Sequence, residues 1–264
     1  MKIHGTAKGG ALSKKDFGVA FSSGGGGSGF DMDKLVAYYK FDNDSGALTN
    51  QAAAVGSSDS NGVDFTNNSG VTLDVTGLID KGYDYDSTDG QSYDGGASTD
   101  WEFMYNTTSG VFSFVGWVKP NATGQGNRYV WENSDGENGT GTGLSLGANG
   151  TVNWFLSKSD NTDDTIRSPI GSNPDSTAWR MFFVSWDSSD GSVQISINNG
   201  TKTTATTSMS GNSGTSDTRM NFGSARSSPV LMLDAICDEW SFWNRVLTDD
   251  EVTELYADGD GLAL

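Results

Sequence analysis

Pairs of residues that tolerate a positive φ recur along this chain, and the gaps between them leave room only for short extended segments. Asp89-Gly90, Asp135-Gly136, Asn149-Gly150, Asp190-Gly191 and Asn199-Gly200 are pairs of the kind that close tight hairpins, because Asn, Asp and Gly accept the left-handed backbone such turns need. GLSLGANGTVNWFLS, residues 143–157, reads as strand, Asn149-Gly150 turn and strand. SVQISINNGTKTTA, residues 192–205, repeats the pattern around Asn199-Gly200. VFSFVGWV (111–118) and WRMFFVSW (179–186) are apolar on both alternating faces, as expected of strands inside a stack of layers. Short strands with turn signals every ~8–12 residues predict an all-β sandwich.

One helix is predicted. Thr248 to Glu251 spell a capping box, T-D-D-E, with two further acids favourable at the positive helix end. Val252, Leu255 and Tyr256 form a short apolar stripe, and Gly259 can end the turn. The opening residues differ from everything after them. Lys2, Lys8, Lys14 and Lys15 precede the first acid, Asp16, so residues 1–15 carry +4. The rest carries twelve basic residues against all 34 acids, a net of −22. Phe17, Val19 and Phe21 make a short apolar run ahead of SSGGGGSG, residues 22–29, which reads as a flexible linker. The predicted organisation is an extended N-terminal arm over 1–32, anchored through Phe17, Val19 and Phe21, and one β domain over 33–264.

Composition removes several functional classes. A single His and a single Cys cannot build a multi-His or multi-Cys zinc site, a disulfide framework or a Cys–His nucleophilic pair. Cys237 is expected to be a small buried hydrophobe. No stretch approaches the ~20 apolar residues of a membrane helix, and a formal charge of −18 argues against nucleic acid as partner. The start lacks the apolar core of a signal peptide, while the Gly, Ser, Thr, Asn and Asp content is of extracellular type. Seven Asn-x-Ser/Thr patterns, at Asn43, Asn67, Asn106, Asn121, Asn138, Asn149 and Asn199, read as turns rather than glycosylation acceptors.

The closing text carries a family resemblance. DEWSFWNRVLTDDEVTELYADG, residues 238–259, resembles the last segment of LamG-like jelly rolls in the concanavalin A-like lectin/glucanase superfamily. LVAYYKFDNDSG (35–46) resembles the opening strand, GYDYDSTDGQSYDGG (82–96) the following Asp-Gly segment, and FSFVGWVKP (112–120) a later strand. Ala178 to Gly200 is similar to the family's next strand pair, with Met181 and Phe182 where His is frequent and Asn198-Asn199-Gly200 replacing the usual Asp-Gly turn. The resemblance implies a two-sheet jelly-roll sandwich with one short C-terminal helix. It also implies a structural Ca²⁺ held by Asp238 together with groups near the opening strand, where Asp42, Asn43 and Asp44 stand. Such Asp-rich turns can equally be solvated turn-formers.

The family includes glucanases, which set acids at i, i+2 and i+4 of one strand so that all face the cleft. The nearest candidates, Glu132, Asp135 and Glu137, include an odd spacing and lie among turn pairs; the expectation is that the chain is not an enzyme. Aromatics beside loops, Tyr93, Trp101, Tyr105 and Trp131, are candidate platforms for sugar rings, the alternative being that each plugs an end of the sandwich. The functional expectation is a non-enzymatic virion surface component, a capsid decoration, fibre or adhesin of a phage or archaeal virus. Residues 1–30 dock on other virion proteins within an oligomeric assembly, and the lectin-like sandwich meets host-surface glycans. A secreted or cell-surface carbohydrate-binding module is the first alternative and a glycan hydrolase the second.

Overall fold

The computed structural model describes residues 32–264 apart from 68–69, 89, 107, 124–125, 135–140, 148–149, 158–162, 168–176, 208–218 and 226–230. The arm with its anchor residues Phe17, Val19 and Phe21, and the pair Asp135 and Glu137, lie outside the described residues. The strands are β1 (Leu35–Tyr39), β2 (Thr66–Asn67), β3 (Thr72–Thr76), β4 (Lys81–Tyr85), β5 (Tyr93–Ala97), β6 (Val111–Pro120), β7 (Arg128–Ser134), β8 (Gly141–Leu146), β9 (Val152–Ser157), β10 (Asp163–Arg167), β11 (Arg180–Asp187), β12 (Ser192–Ile197), β13 (Thr203–Thr206), β14 (Arg219–Phe222) and β15 (Ala235–Trp243). One α-helix is present among the described residues, α1 (Asp249–Tyr256).

Two antiparallel sheets result. One has eight strands in the order β13-β12-β11-β6-β15-β4-β3, with β1 also on β15; the other has seven, β10-β9-β8-β7-β14-β5-β2. Their facing sides meet in an aromatic core. Phe65 and Phe222 stack at 3.8 Å, Phe222 and Phe242 at 5.7 Å, and Trp240 closes on Phe222 at 4.8 Å. Each such ring contributes roughly 1.5–3 kcal/mol by burial and the pairs ~0.5–1.5 kcal/mol more. Cys237 lies in this core, and burial pushes its thiol up.

The apolar-on-both-faces reading of β6 and β11 holds because the eight-stranded sheet is covered twice. Phe112, Phe114 and Val118 point into the core, whereas the alternate residues Val115 and Trp117 are buried on the outer face. There α1 lies over the sheet: Tyr256 stacks on Trp117 at 5.8 Å, Asn199 Nδ2 donates to Thr253 Oγ1 at 3.0 Å, and the Leu247 amide donates to Ser113 Oγ at 2.9 Å. The capping box is formed, with the Thr248 side chain accepting from the Glu251 amide and Glu251 answering the Thr248 amide. Arg245 clamps Glu251 at 2.6 and 2.7 Å. Two local expectations shift by a residue or two. The helix ends at Ala257, which takes the left-handed conformation ahead of Gly259. The β12–β13 turn centres on Asn198-Asn199, both at positive φ, with the Gly200 amide returning to Ile197 O at 2.9 Å. Asn198 can lead because its side chain accepts from the Met181 amide at 2.9 Å.

Candidate functional site

Two features of the sandwich carry chemistry. The first is a fork in the eight-stranded sheet. On one side β15 pairs with β6; on the other its first residues, Ala235–Cys237, pair with β4 and its last, Trp240–Trp243, with β1. Asp238 and Glu239 stand at the parting, where the β15–β6 register slips and Glu239 takes φ 51°. Two consecutive acids thereby enter the interior. Asp238 Oδ2 accepts from the amides of Leu78 and Ile79, at the tip of the β3–β4 hairpin, both at 2.8 Å. Glu239 Oε2 accepts from the Tyr38 hydroxyl, which in turn takes the Leu264 amide at 2.9 Å. Asp238 Oδ1 and Glu239 Oε1 are buried and have no hydrogen-bond partner among the described residues.

Burial first, and the neighbouring Glu239 second, push the Asp238 carboxyl up to about 9. Burial likewise pushes Glu239 up to about 8, against the opposing Tyr38 bond and the Lys40 charge. Asp42 lies close enough to raise both, and is itself raised by burial. Two unpartnered carboxylate oxygens in a protein interior fit a hard cation such as Ca²⁺, which takes oxygen ligands. Asp42 Oδ1 accepts from the Lys81 amide at 3.2 Å, Asn43 turns its amide to Ala47 O and Thr49 Oγ1 at 2.8 and 3.1 Å, and Asp44 is exposed. Among the described residues no three Asp, Glu, His or Cys side chains converge as a metal site would require. The residue that sequence reasoning missed is Glu239, and its signal was a charged pair in the middle of the apolar run ICDEWSFW.

The second feature is the outer face of the seven-stranded sheet. Asp94 is opposite Asn221, Asn221 opposite Glu132, Glu132 opposite Gly143, and Gly143 opposite Phe155. The residues flanking these positions, Tyr93, Met220, Phe222, Trp131, Leu144, Trp154 and Leu156, are in the core. Period-2 geometry therefore aims the row outward. The Phe155 ring lies against Gly143, where a Cβ would come within 2.4–2.5 Å of ring atoms. Tyr129 meets the Phe155 edge at 5.7 Å, and Arg219 pairs with Asp94. Glu132 and Asn221 form a shielded floor, 3% and 2% exposed, while Phe155, Tyr129 and Asp94 are half-buried and Arg219 is exposed.

The four candidate sugar platforms are not on this face or on any surface. Tyr93, Trp101, Tyr105 and Trp131 are all buried in the core. Trp131 packs on Phe114 at 5.6 Å and Phe242 at 6.0 Å, and Trp101 packs on Phe242 at 5.1 Å with its indole N–H donating to Gly95 O at 3.0 Å. Tyr93 stacks with Tyr83 at 5.7 Å. Tyr93 and Trp131 sit within β5 and β7 at inward positions, so their nearness to loops in sequence says nothing of exposure.

Comparison with known proteins agrees with this architecture. A laminin-G-type family model, described as the concanavalin A-like lectin/glucanases superfamily, matches residues 89–253. The chain belongs to this superfamily. Among solved structures it is similar to the binding domain of Paraclostridial Mosquitocidal Protein 1 (TM-score 0.66, 16% identity, 85% of this chain and 52% of that one). It is also similar to the botulinum neurotoxin serotype D binding domain (TM-score 0.61, 12% identity, 86% and 52%). At these identities the likeness is one of fold, and the chain spans about half the length of each of these structures. A comparison with curated proteins returns no match.

Proposed function

We propose that this chain is a non-enzymatic carbohydrate-binding module that holds a glycan across the outer face of its seven-stranded sheet. The observation that carries the reading is the row Asp94–Asn221–Glu132–Gly143–Phe155, five strands wide, which ends on an aromatic ring packed against a glycine. An aromatic ring offers an apolar platform for the C–H face of a sugar, and the accessible Asp94 and Arg219 at the other end of the row bond its hydroxyls. Four strand spacings of ~4.8 Å give a track of ~19 Å. The absence of catalysis is supported by β7 itself. Glu132 has Ser134, not an acid, two residues on, and the other acid of the row, Asp94, is two strands away and paired with Arg219.

The reading extends to display on a virion surface, as a capsid decoration or fibre component facing host glycans, with residues 1–30 as the attachment to other virion proteins. The contrast between the +4 segment and the −22 remainder of the sequence supports a tether of opposite charge. A secreted or cell-surface module is the alternative. A structural Ca²⁺ belongs to the same reading. Asp238 Oδ1 and Glu239 Oε1 would supply two of the roughly six to eight oxygens such an ion takes, and the ion would neutralise two buried carboxylates.

Affinity electrophoresis through gels containing soluble polysaccharides tests the glycan face. Retardation by at least one polysaccharide, abolished in Phe155→Ala, is expected. Unretarded migration in every gel, or equal retardation of the variant, refutes it. Deleting residues 1–30 tests the tether: the truncated chain should keep its retardation and lose co-purification with particles.

A further inference from the structure

A second cleft lies at one end of the sandwich, away from the sheet face. It has a volume of about 400 Å³ and is lined by Glu102, Phe103, Asn106, Ser109 and Asn244. That volume falls within the ~300–1,000 Å³ of small-molecule sites. Its walls come from two distant stretches of sequence, the short 3₁₀ helix Ser98–Met104 with the loop into β6, and the turn that follows β15.

The first wall is built rigidly. The Asn106 amide N–H donates to Glu102 O at 2.9 Å, its Nδ2 donates to Glu102 Oε1 at 2.8 Å, and its Oδ1 accepts from the Thr108 and Ser109 amides at 3.0 and 3.2 Å. Its carbonyl accepts from Gly110 at 2.6 Å. Gly110 is required there, since a Cβ would stand 2.5 Å from that carbonyl and 3.0 Å from Phe103 O. One oxygen of Glu102 is thus fixed by Asn106, which aims the other. Phe103 is half-buried, backed by Trp101 at 6.3 Å and 31°. On the opposite wall the Asn244 backbone is held by Lys34 O at 2.8 Å. Its side chain has no hydrogen-bond partner among the described residues.

We propose that this cleft binds a single pyranose, as the terminal residue of a glycan. The chemistry selects a hydroxyl-bearing ring over a cation. Among the described lining residues only Glu102 is charged. Asn244 and Ser109 are neutral groups that both donate and accept, and Asn106 keeps one Nδ2 hydrogen to donate, which matches hydroxyls that do both; an organic ammonium only donates and would leave the amide N–H groups unused. Phe103 supplies the apolar surface for the C–H face of the ring. This site is separate from the sheet face and stands or falls independently of it.

Saturation-transfer difference NMR with millimolar methyl pyranosides of glucose, galactose, mannose and N-acetylglucosamine tests the proposal. At least one should receive saturation. Its affinity should weaken about tenfold in Asn244→Ala and in Glu102→Gln, both of which leave the core untouched, and remain unchanged in Phe155→Ala. Polysaccharide retardation should show the reverse pattern, lost in Phe155→Ala and kept in Asn244→Ala. The proposal is overturned if no pyranoside is saturated, if both cleft variants bind as the parent does, or if lysine methyl ester competes and no sugar does.

Discussion

Asparagine in place of Asp238 isolates the electrostatics of the sheet fork. In the unfolded chain Asp238 loses its proton near pH 3.8, and in the folded protein it keeps it to about 9. Between those values the folded state binds one proton more than the unfolded state, so stability falls as pH rises, by ~1.4 kcal/mol per unit. From pH 5 to pH 8 this single group removes ~4 kcal/mol, a large part of the ~5–15 kcal/mol that a domain possesses. Glu239, moving from 4.5 to about 8, acts in the same direction. Asp42, raised by burial, adds to the fall, and no lowered group opposes it within this window. Asp86, Asp190 and Glu251 are lowered in the folded state; they contribute stability above their unfolded values and lose it only below about pH 4.5.

Melting temperature followed in EDTA should therefore fall from pH 5 to pH 8. At ~2–4 °C per kcal/mol for a domain of this size, the drop from Asp238 alone is ~8–16 °C. Asp238→Asn keeps an acceptor for the Leu78 and Ile79 amides and removes the charge, so it should flatten much of that slope. Calcium at a hundred times its Kd should restore ~2.7 kcal/mol to the parent at pH 8 and nothing to the variant. A melting temperature that is level or rising across this window in EDTA, or an equally steep fall in Asp238→Asn, would refute the reasoning.

Gly143→Ala should lift Phe155 off the sheet, because the new methyl would sit 2.4–2.5 Å from the ring; polysaccharide retardation should be lost with the far-ultraviolet circular dichroism unchanged. Trp131→Ala should cost ~3–5 kcal/mol in urea unfolding, as befits a core ring, and its residual folded fraction should still be retarded. Thr248→Ala removes one half of the capping box and should cost ~0.5–2 kcal/mol, read in the same unfolding experiment.

Local chemistry was legible in the sequence wherever a backbone conformation is dictated by a few adjacent residues. The β8–β9 and β12–β13 hairpins, the capped α1 and the two-sided burial of β6 and β11 all follow from turn residues, capping residues and period. What could not be read is what depends on sheet order. The outward row joins Asp94, Glu132, Gly143, Phe155 and Asn221 across four strand boundaries, and no periodicity within one strand encodes that. The burial of Trp131 was hidden for a related reason, since a register slip between Tyr129 and Trp131 resets which residues of β7 face inward. Glu239 was passed over because a strand of regular pitch sends it opposite Asp238; only the left-handed residue at the fork brings the two acids together.

The fork has a consequence for how the chain acquires its structure. Among the described strands β15 alone links β6 on one side with both β1 and β4 on the other, and it is synthesised after every other strand described. The N-terminal strand β1 therefore waits for a partner some 200 positions later, a high contact order that makes folding slow. A ribosome-bound chain that stops before Ala235 holds three exposed edges, and release of β15 zips all of them at once.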